Sequence, residues 1–338
     1  MTSNKMKSKK FIFVRNFDGI PKEEDFKLVE EVILDLQQGE FLAKAIYLSI
    51  DPYMRAYSSR IRLGETMIGS QVAIIIESKN ENFPTGSYVL GQFGWTTHFI
   101  SNGTAQDVTL YPPYLIEKDE QISLSLYLGA LGRTGNSAYF GFLELCKPRS
   151  GETVVISGAA GAVGSHVGQI AKMKGCYVIA IAGNQEKLNW LKSLGFDYVI
   201  NYKLDNIRSE LTKAAPRGID CYFDNVGGEI SSVIMQHMNR YGRIAVCGSI
   251  SSYNSNATDM PKATILQPTI VFNELTVTGF IVKTWLNRWN EGIEQNAKWI
   301  KEGKLKCRET IIDGFENMPK AFINMLNGGN FGKSIVKV

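Results

Sequence analysis

The sequence predicts an α/β protein built as a small, irregular antiparallel barrel followed by a doubly wound parallel sheet. Three observations carry this. Short runs of branched and aromatic residues between turn signals fill residues 11 to about 110. From Glu152 onward, strand and helix patterns alternate. A glycine-rich turn stands between the first strand and first helix of that alternating part. The chain has 338 residues, more than one core ordinarily organises, so two domains are expected.

In the first part, Phe11–Val14, Phe26–Ile33, Phe41–Ile50, Gln71–Ser78, Ser87–Gly91 and Thr96–Ser101 read as strands. Asp51-Pro52 and Phe83-Pro84-Thr85-Gly86 punctuate them. Strands at this spacing fit a small barrel. The texture changes near residue 123, where Ser123–Leu131 and Asn136–Leu145 read as helices. Strands are then expected at Thr153–Ser157, Tyr177–Ala182, Tyr198–Asn201, Asp220–Asp224, Arg243–Cys247 and Leu275–Ile281. Helices at Val163–Lys174, Glu186–Leu194, 205–214 and 229–239 separate them. Near the end come a helix at Pro319–Leu326 and an apolar strand at Ser334–Val338, whose natural host is the β-rich first part.

Composition removes several functional classes. Hydrophobic residues make up 44% and charged residues 21%, a globular mix, and the net charge of +4 is too small and dispersed to point to nucleic acid. Lys5, Lys7, Lys9 and Lys10 read as a solvated polar leader. No secretory apolar segment follows it, and no apolar run spans a bilayer, so a cytoplasmic protein without a membrane partner is expected. The cysteines at 146, 176, 221, 247 and 307 contain no CxxC pair, which removes both a disulfide framework and a zinc knot. His98, His166 and His237 have no Cys, His or Glu at ligand spacing, so no metal is expected and each reads as structural or surface.

The strongest local signal is Gly158-Ala159-Ala160-Gly161-Ala162-Val163-Gly164, which leaves a strand and opens a helix. Gly161 lets the backbone approach a pyrophosphate, and Gly164 lets the helix pack on the strand. Free N–H groups at the helix start then meet the phosphates. Ala159 replaces the first glycine of the usual fingerprint. The second strand ends in Ala182-Gly183-Asn184-Gln185, with no carboxylate for a ribose 2′-hydroxyl. Lys187, one turn on, meets a 2′-phosphate instead, which favours NADP over NAD; otherwise it is an ordinary surface lysine.

Without a metal to polarise a carbonyl, the sequence suits a different hydride acceptor. The β-carbon of an α,β-unsaturated carbonyl accepts hydride directly, and hydrogen-bond donors stabilise the enolate that forms. The candidate donor is Tyr253, in the loop after the strand Arg243–Cys247. A tyrosine that only packs against the cofactor is an equal reading.

At Ser49-Ile50-Asp51-Pro52-Tyr53-Met54-Arg55, Gly94-Trp95-Thr96-Thr97-His98, Ala138-Tyr139-Phe140-Gly141 and Asn201-Tyr202-Lys203, the chain resembles the prostaglandin reductase 1 family. These are zinc-free medium-chain dehydrogenases/reductases, also called leukotriene 12-hydroxydehydrogenases or alkenal/one oxidoreductases. Cys221-Tyr222-Phe223-Asp224-Asn225-Val226-Gly227-Gly228 and Gly314-Phe315-Glu316-Asn317-Met318-Pro319 extend the resemblance nearly end to end. It implies a GroES-like catalytic domain over residues 1–123, a Rossmann NADP-binding domain over 124–309, and a segment 310–338 that returns to the first domain. It also implies a cytoplasmic enzyme, often a homodimer.

By matching position, the resemblance gives the pyrophosphate to Gly161, Ala162, Val163 and Gly164, and the 2′-phosphate and adenosine end to Lys187 and Tyr202. Asn225 and Cys247, Gly248, Ser249, Ile250, Ser251, Ser252 and Tyr253 border the nicotinamide half. Phe280, Ile281, Val282 and Asn330 complete the cleft. Tyr53, Trp95, Phe272 and Trp285 are pocket walls, although bare aromatics are more often core. Three departures bear on the preferred substrate: Gly132-Arg133-Thr134-Gly135-Asn136 replaces an apolar stretch, the loop after Tyr253 is poorer in proline, and Lys283-Thr284 stands where Tyr-Arg is familiar. The expected activity is NADPH-dependent reduction of the C=C bond of enones and enals, such as 15-oxoprostaglandins and lipid-derived alkenals. A quinone reductase shares the fold and cofactor. A non-catalytic NADPH-binding structural or RNA-binding protein is the rival of another class.

Overall fold

The computed structural model describes residues 6–104, 111–255 and 264–338. The chain divides into two units, one formed by residues 1–128, 310–329 and 334–338 and the other by 129–309 and 330–333.

In the first unit, β1 (Lys7–Phe13) pairs antiparallel with β2 (Phe26–Val32). The strands β3 (Phe41–Ile50), β4 (Gln71–Ser78), β5 (Tyr88–Gly91), β6 (His98–Ser101) and β7 (Tyr114–Ile116) form most of a second, antiparallel sheet, and the short helix α1 (Tyr53–Ala56) follows β3. Phe11, Phe13, Phe26, Leu48, Ile50, Met67 and Trp95 make its core. The lysine leader is corrected in part. Lys5 lies outside the described residues, but Lys7, Lys9 and Lys10 sit in β1, where they meet Glu30, Glu316 and Glu31. Ser8, Phe11 and Phe13 of the same strand are buried, so Lys7, Lys9 and Lys10 are ion-paired strand residues rather than a tail.

The second unit opens with α2 (Arg133–Phe140), which runs into a six-residue π-helical segment, Gly141–Cys146. The helix expected at Ser123–Leu131 is only a 3-10 turn at Leu124–Leu128. Gly129 and Gly132 follow it, and the amides of Gly132 and Gly135 both turn back onto the Gly129 carbonyl, which starts α2 afresh. The remaining elements are β8 (Thr153–Ile156), α3 (Ala162–Met173), β9 (Tyr177–Ala182), α4 (Gln185–Ser193), β10 (Tyr198–Asn201), α5 (Ile207–Ala214), β11 (Ile219–Asp224), α6 (Gly228–Met235), β12 (Met238–Val246), α7 (Gln267–Phe272), β13 (Thr276–Gly279) and α8 (Trp289–Lys301). The helix expected over 229–239 stops at Met235, because β12 begins at Met238, opposite Ile219 of β11.

The six strands lie in the order β10-β9-β8-β11-β12-β13, with every determined pairing parallel. Both faces are buried at β8, β9 and β11, as the middle of a doubly wound sheet requires. Val154 and Ile156 of β8 and Cys221 and Phe223 of β11 join one core cluster, while Val155 and Tyr222, one residue out of phase, join the other. The chain then supplies β14 (Glu309–Asp313), α9 (Met318–Leu326) and β15 (Lys333–Lys337). The apolar terminal strand finds its host as expected, pairing antiparallel with β3 from Ser334↔Ile50 to Lys337↔Tyr47.

Candidate active site

The sheet order reverses between β8 and β11, and in such sheets ligands bind beyond the strand ends at that point. Beyond β8 the chain turns through Gly158, at a φ of 60° that favours glycine. It then enters α3, whose N-cap is Gly161 and whose start no side chain caps. The Ser165 amide is the first to reach back to the Gly161 carbonyl, so the amides of Ala162, Val163 and Gly164 have no acceptor one helical turn behind them. Uncapped helix starts of this kind are candidate cradles for an anion. A Cβ on Gly164 would stand 2.4 Å from the Gly158 carbonyl oxygen and 2.8 Å from the Ala159 Cα, so the missing side chain brings helix and turn together. A Cβ on Gly161 would meet only that same oxygen, at 3.3 Å.

The end of β11 is fastened to this turn by buried polar groups. Asp224 is buried, and its Oδ1 accepts from the hydroxyls of Ser157 at 3.0 Å and Tyr222 at 2.7 Å and from the amides of Val226 and Gly227 at 2.9 Å. Burial and the Asp224 charge hold the Tyr222 phenol far above its ordinary range, so it remains a donor. Asn225 donates its amide to Ser157 Oγ at 3.0 Å and its side-chain Nδ2 to the Ser157 carbonyl at 2.8 Å, which fixes it beside the phosphate turn.

The loop after β12 docks on the same strand end. The amides of Cys247 and Gly248 donate to the Asp224 carbonyl, and those of Ile250 and Ser251 to the carbonyls of Asn225 and Val226. Ser249 and Ser252 bridge through their hydroxyls at 2.8 Å. The Tyr253 hydroxyl oxygen accepts the Ser249 amide at 3.1 Å. A Cβ on Gly248 would lie 3.0 Å from that oxygen, so the glycine makes room for it. Burial and Asp224 push the Cys247 thiol up to about 12, which makes it an apolar wall rather than a nucleophile.

Beyond β13, the Phe280 amide donates to the Val246 carbonyl. The Phe280 ring packs edge-on to Phe223 and to Trp285, and lies where a Cβ on Gly141 would come within 2.4 Å. The π-helical turn therefore starts where this ring presses on α2, an accommodation common beside functional sites. Trp285 is stacked on Phe140, with centroids 5.5 Å apart. Ile281 is exposed and Val282 buried.

Beyond β9, the Tyr202 ring covers Gly183, where a Cβ would fall 2.7 Å from it. The Asn184 side chain caps α4 by accepting the Lys187 amide at 2.8 Å. Burial and then the nearby Lys203 charge lower the Lys187 ammonium below the usual lysine range. Asn330 and its neighbours join the turn at Gly158–Gly164: the Gly332 amide donates to the Ala160 carbonyl at 2.9 Å, and Asn330 Nδ2 donates to the Gly332 carbonyl at 2.8 Å.

The aromatic walls fall in different surroundings. Trp95 is fully buried in the first unit, stacked on Phe26 and edge-on to Phe11 and Phe322. Tyr53 is edge-on to Tyr57 in the same unit. Phe272 stands out from α7 and is 80% exposed. Sequence reasoning missed Ser157, Asp224 and Phe331. The Asp224-Asn225-Val226-Gly227-Gly228 string is a visible signal for the second, but nothing local marks the others. Among the described residues, no three His, Cys, Asp or Glu side chains converge in a metal-binding group.

Comparisons with known proteins bear on this cradle. The family model described as N-terminal domain of oxidoreductase matches residues 9–108, and that described as zinc-binding dehydrogenase matches 162–298. Prostaglandin reductase 1 of Bos taurus is 47% identical over 98% of this chain and 99% of its own. The chain belongs to the prostaglandin reductase 1 family. Membership places it among the medium-chain dehydrogenases/reductases, with a GroES-like unit and a Rossmann unit. A 2-alkenal reductase (NADP(+)-dependent) of Nicotiana tabacum is 37% identical over 98% of both chains. The crystal structure of CurA in complex with NADPH from Vibrio vulnificus superposes with a TM-score of 0.91, at 36% identity, over 98% of this chain and 99% of that one.

Proposed function

We propose that this chain reduces the C=C bond of α,β-unsaturated ketones and aldehydes with NADPH. The chain is an NADP-dependent oxidoreductase: its relatives are reductases over their full length, and its Rossmann unit carries an open, uncapped helix start with no carboxylate at the end of β9. Ala162, Val163 and Gly164 would hold the pyrophosphate, Lys187 and Tyr202 the 2′-phosphate and adenosine. Asn225, the 247–253 loop, Phe280–Val282 and Asn330 would enclose the rest. When bound, the cofactor supplies hydride.

The observation that carries the mechanism is the Ser249 amide on the Tyr253 hydroxyl oxygen. A phenol whose oxygen accepts a backbone N–H is oriented by it, and the accepted bond makes its O–H a better donor. Tyr253 would therefore hold its proton toward the carbonyl oxygen of the substrate, where charge develops as hydride reaches the β-carbon. Water delivers the proton that the α-carbon requires.

We further infer a homodimer. β13 is the edge of the parallel sheet, and Val277, Ile281, Val271 and Phe272 are exposed on or near it. An open apolar edge of this kind is self-complementary about a two-fold axis. The five unpaired thiols suit a reducing, cytoplasmic setting.

The test is oxidation of NADPH by the purified protein with a medium-chain alkenal, a 15-oxoprostaglandin and a simple quinone as acceptors. The reading expects turnover with the enal or enone, a preference for NADPH over NADH, and no effect of a chelator. Turnover of the quinone alone, or none at all, overturns it.

A further inference from the structure

Arg308 was not among the residues that motif or resemblance assigned to the cofactor, yet it lies against the same cradle. It immediately precedes β14, and its carbonyl accepts the Lys333 amide at 3.0 Å. The neighbouring Gly332 is bound to the Ala160 carbonyl of the phosphate turn. A Cβ on Gly332 would come 1.8 Å from the Arg308 carbonyl oxygen, so that glycine allows the two backbones to touch. The segment carrying Arg308 is thereby stapled to the anion-binding turn.

Its side chain is equally placed. The Arg308 guanidinium lies 4.1 Å from the centroid of the Phe331 ring, and the Lys187 ammonium lies 5.5 Å from the same centroid. Arg308 also reaches to 5.7 Å from the Trp190 ring of α4. Lys203, from the segment after β10, is close enough to lower the Lys187 ammonium. Among the described residues, no carboxylate forms an ion pair with Arg308 or Lys203. Two cations from separate parts of the chain thus share one aromatic ring, with the Lys203 charge near the second, and among the described residues Arg308 and Lys203 have no ion-pair partner. Such a grouping stores repulsion that a bound dianion relieves. A guanidinium stacked on a ring presents its N–H edge outward, in the geometry that grips a phosphate.

We propose that Arg308, seated on Phe331 beside Lys187, is a specificity-determining contact for the 2′-phosphate of NADPH. This rests on the reading of the Rossmann unit as an NADP site and adds to it a residue near the end of the unit. Phe331 sets the position of both cations, so it is a positioning residue for the same phosphate.

The experiment is isothermal titration of NADPH and of NADH into the wild-type chain, Arg308→Met, Arg308→Lys and Phe331→Leu, with thermal melts to confirm folding. Arg308→Met should raise the Kd for NADPH about tenfold or more, leave that for NADH within about twofold, and flatten the salt dependence of NADPH binding. Arg308→Lys should fall between, because it keeps the charge and loses the forked geometry, and Phe331→Leu should weaken NADPH selectively. An unchanged NADPH Kd in Arg308→Met overturns the proposal, and so does equal weakening of both cofactors, which would mark a pyrophosphate or scaffold role. Failure of the underlying reading shows separately, as a wild-type chain that binds NADH and NADPH alike.

Discussion

His166 makes the stability of the Rossmann unit depend on pH in a window that few other groups share. It lies on α3, directly behind the phosphate turn, and is only 4% exposed. Its Nε2 sits 3.2 Å from Asn296 Oδ1 of α8, and Asn296 Nδ2 donates in turn to the Ala130 carbonyl at 3.1 Å. Burial pushes the imidazole down to about 4 from an ordinary value of 6.5. Between those values the unfolded chain binds a proton that the folded chain does not. Stability is therefore complete above about pH 6.5 and declines as the pH falls toward 4. At about 1.4 kcal/mol per pH unit, the full loss is about 3 kcal/mol. His98 is also lowered, by burial and Lys44, and acts in the same sense. The measurement is therefore a difference: urea unfolding of wild type and His166→Gln from neutral pH down to about pH 4.5. Glutamine keeps a polar partner for Asn296 and cannot titrate. The wild type should lose about 2–3 kcal/mol more than the variant over that range. Parallel curves would show that the buried imidazole does not resist protonation, and would refute the reasoning.

Three further outcomes follow from the geometry. Gly164→Ala puts a Cβ against backbone atoms of Gly158 and Ala159. It should cost about 1–3 kcal/mol in urea unfolding and weaken NADPH binding by titration calorimetry. Tyr253→Phe leaves the ring and removes the donor. The kcat for an enal should fall about 10²-fold with little change in NADPH Kd, and an unchanged rate would leave Tyr253 as packing against the cofactor. Val277→Lys places a charge on the exposed edge of β13 and should shift sedimentation from dimer to monomer without loss of folding.

Much of the fold was legible because it is locally encoded. β3, β4, β9 and β10 begin and end where their branched and aromatic runs do, and the turn at Gly158–Gly164 announces itself by standing between strand and helix. What failed depended on contacts that no local window holds. The register of β12 against β11 cut α6 short. The Phe280 ring pressing on Gly141 accompanies the change from α to π geometry in a stretch that reads as one plain helix. Pairing with Glu30, Glu31 and Glu316 turned a lysine cluster into part of a strand. The proposed site divides in the same way. Gly161, Gly164 and Lys187 are proposed from spacing, and the 247–253 loop and Asn330 from resemblance. The Asp224 anchor and the Arg308–Phe331 pair join segments distant in sequence and appear only when the chain is folded.

The most direct test of the central claim is to follow the hydride. Reduction of an enone with NADPH deuterated at the transferring carbon of the nicotinamide, analysed by NMR of the product, should place deuterium at the β-carbon. Solvent hydrogen should occupy the α-carbon, and the carbonyl should remain intact. Deuterium on the carbonyl carbon, as in an alcohol dehydrogenase, or an unlabelled product would contradict the account.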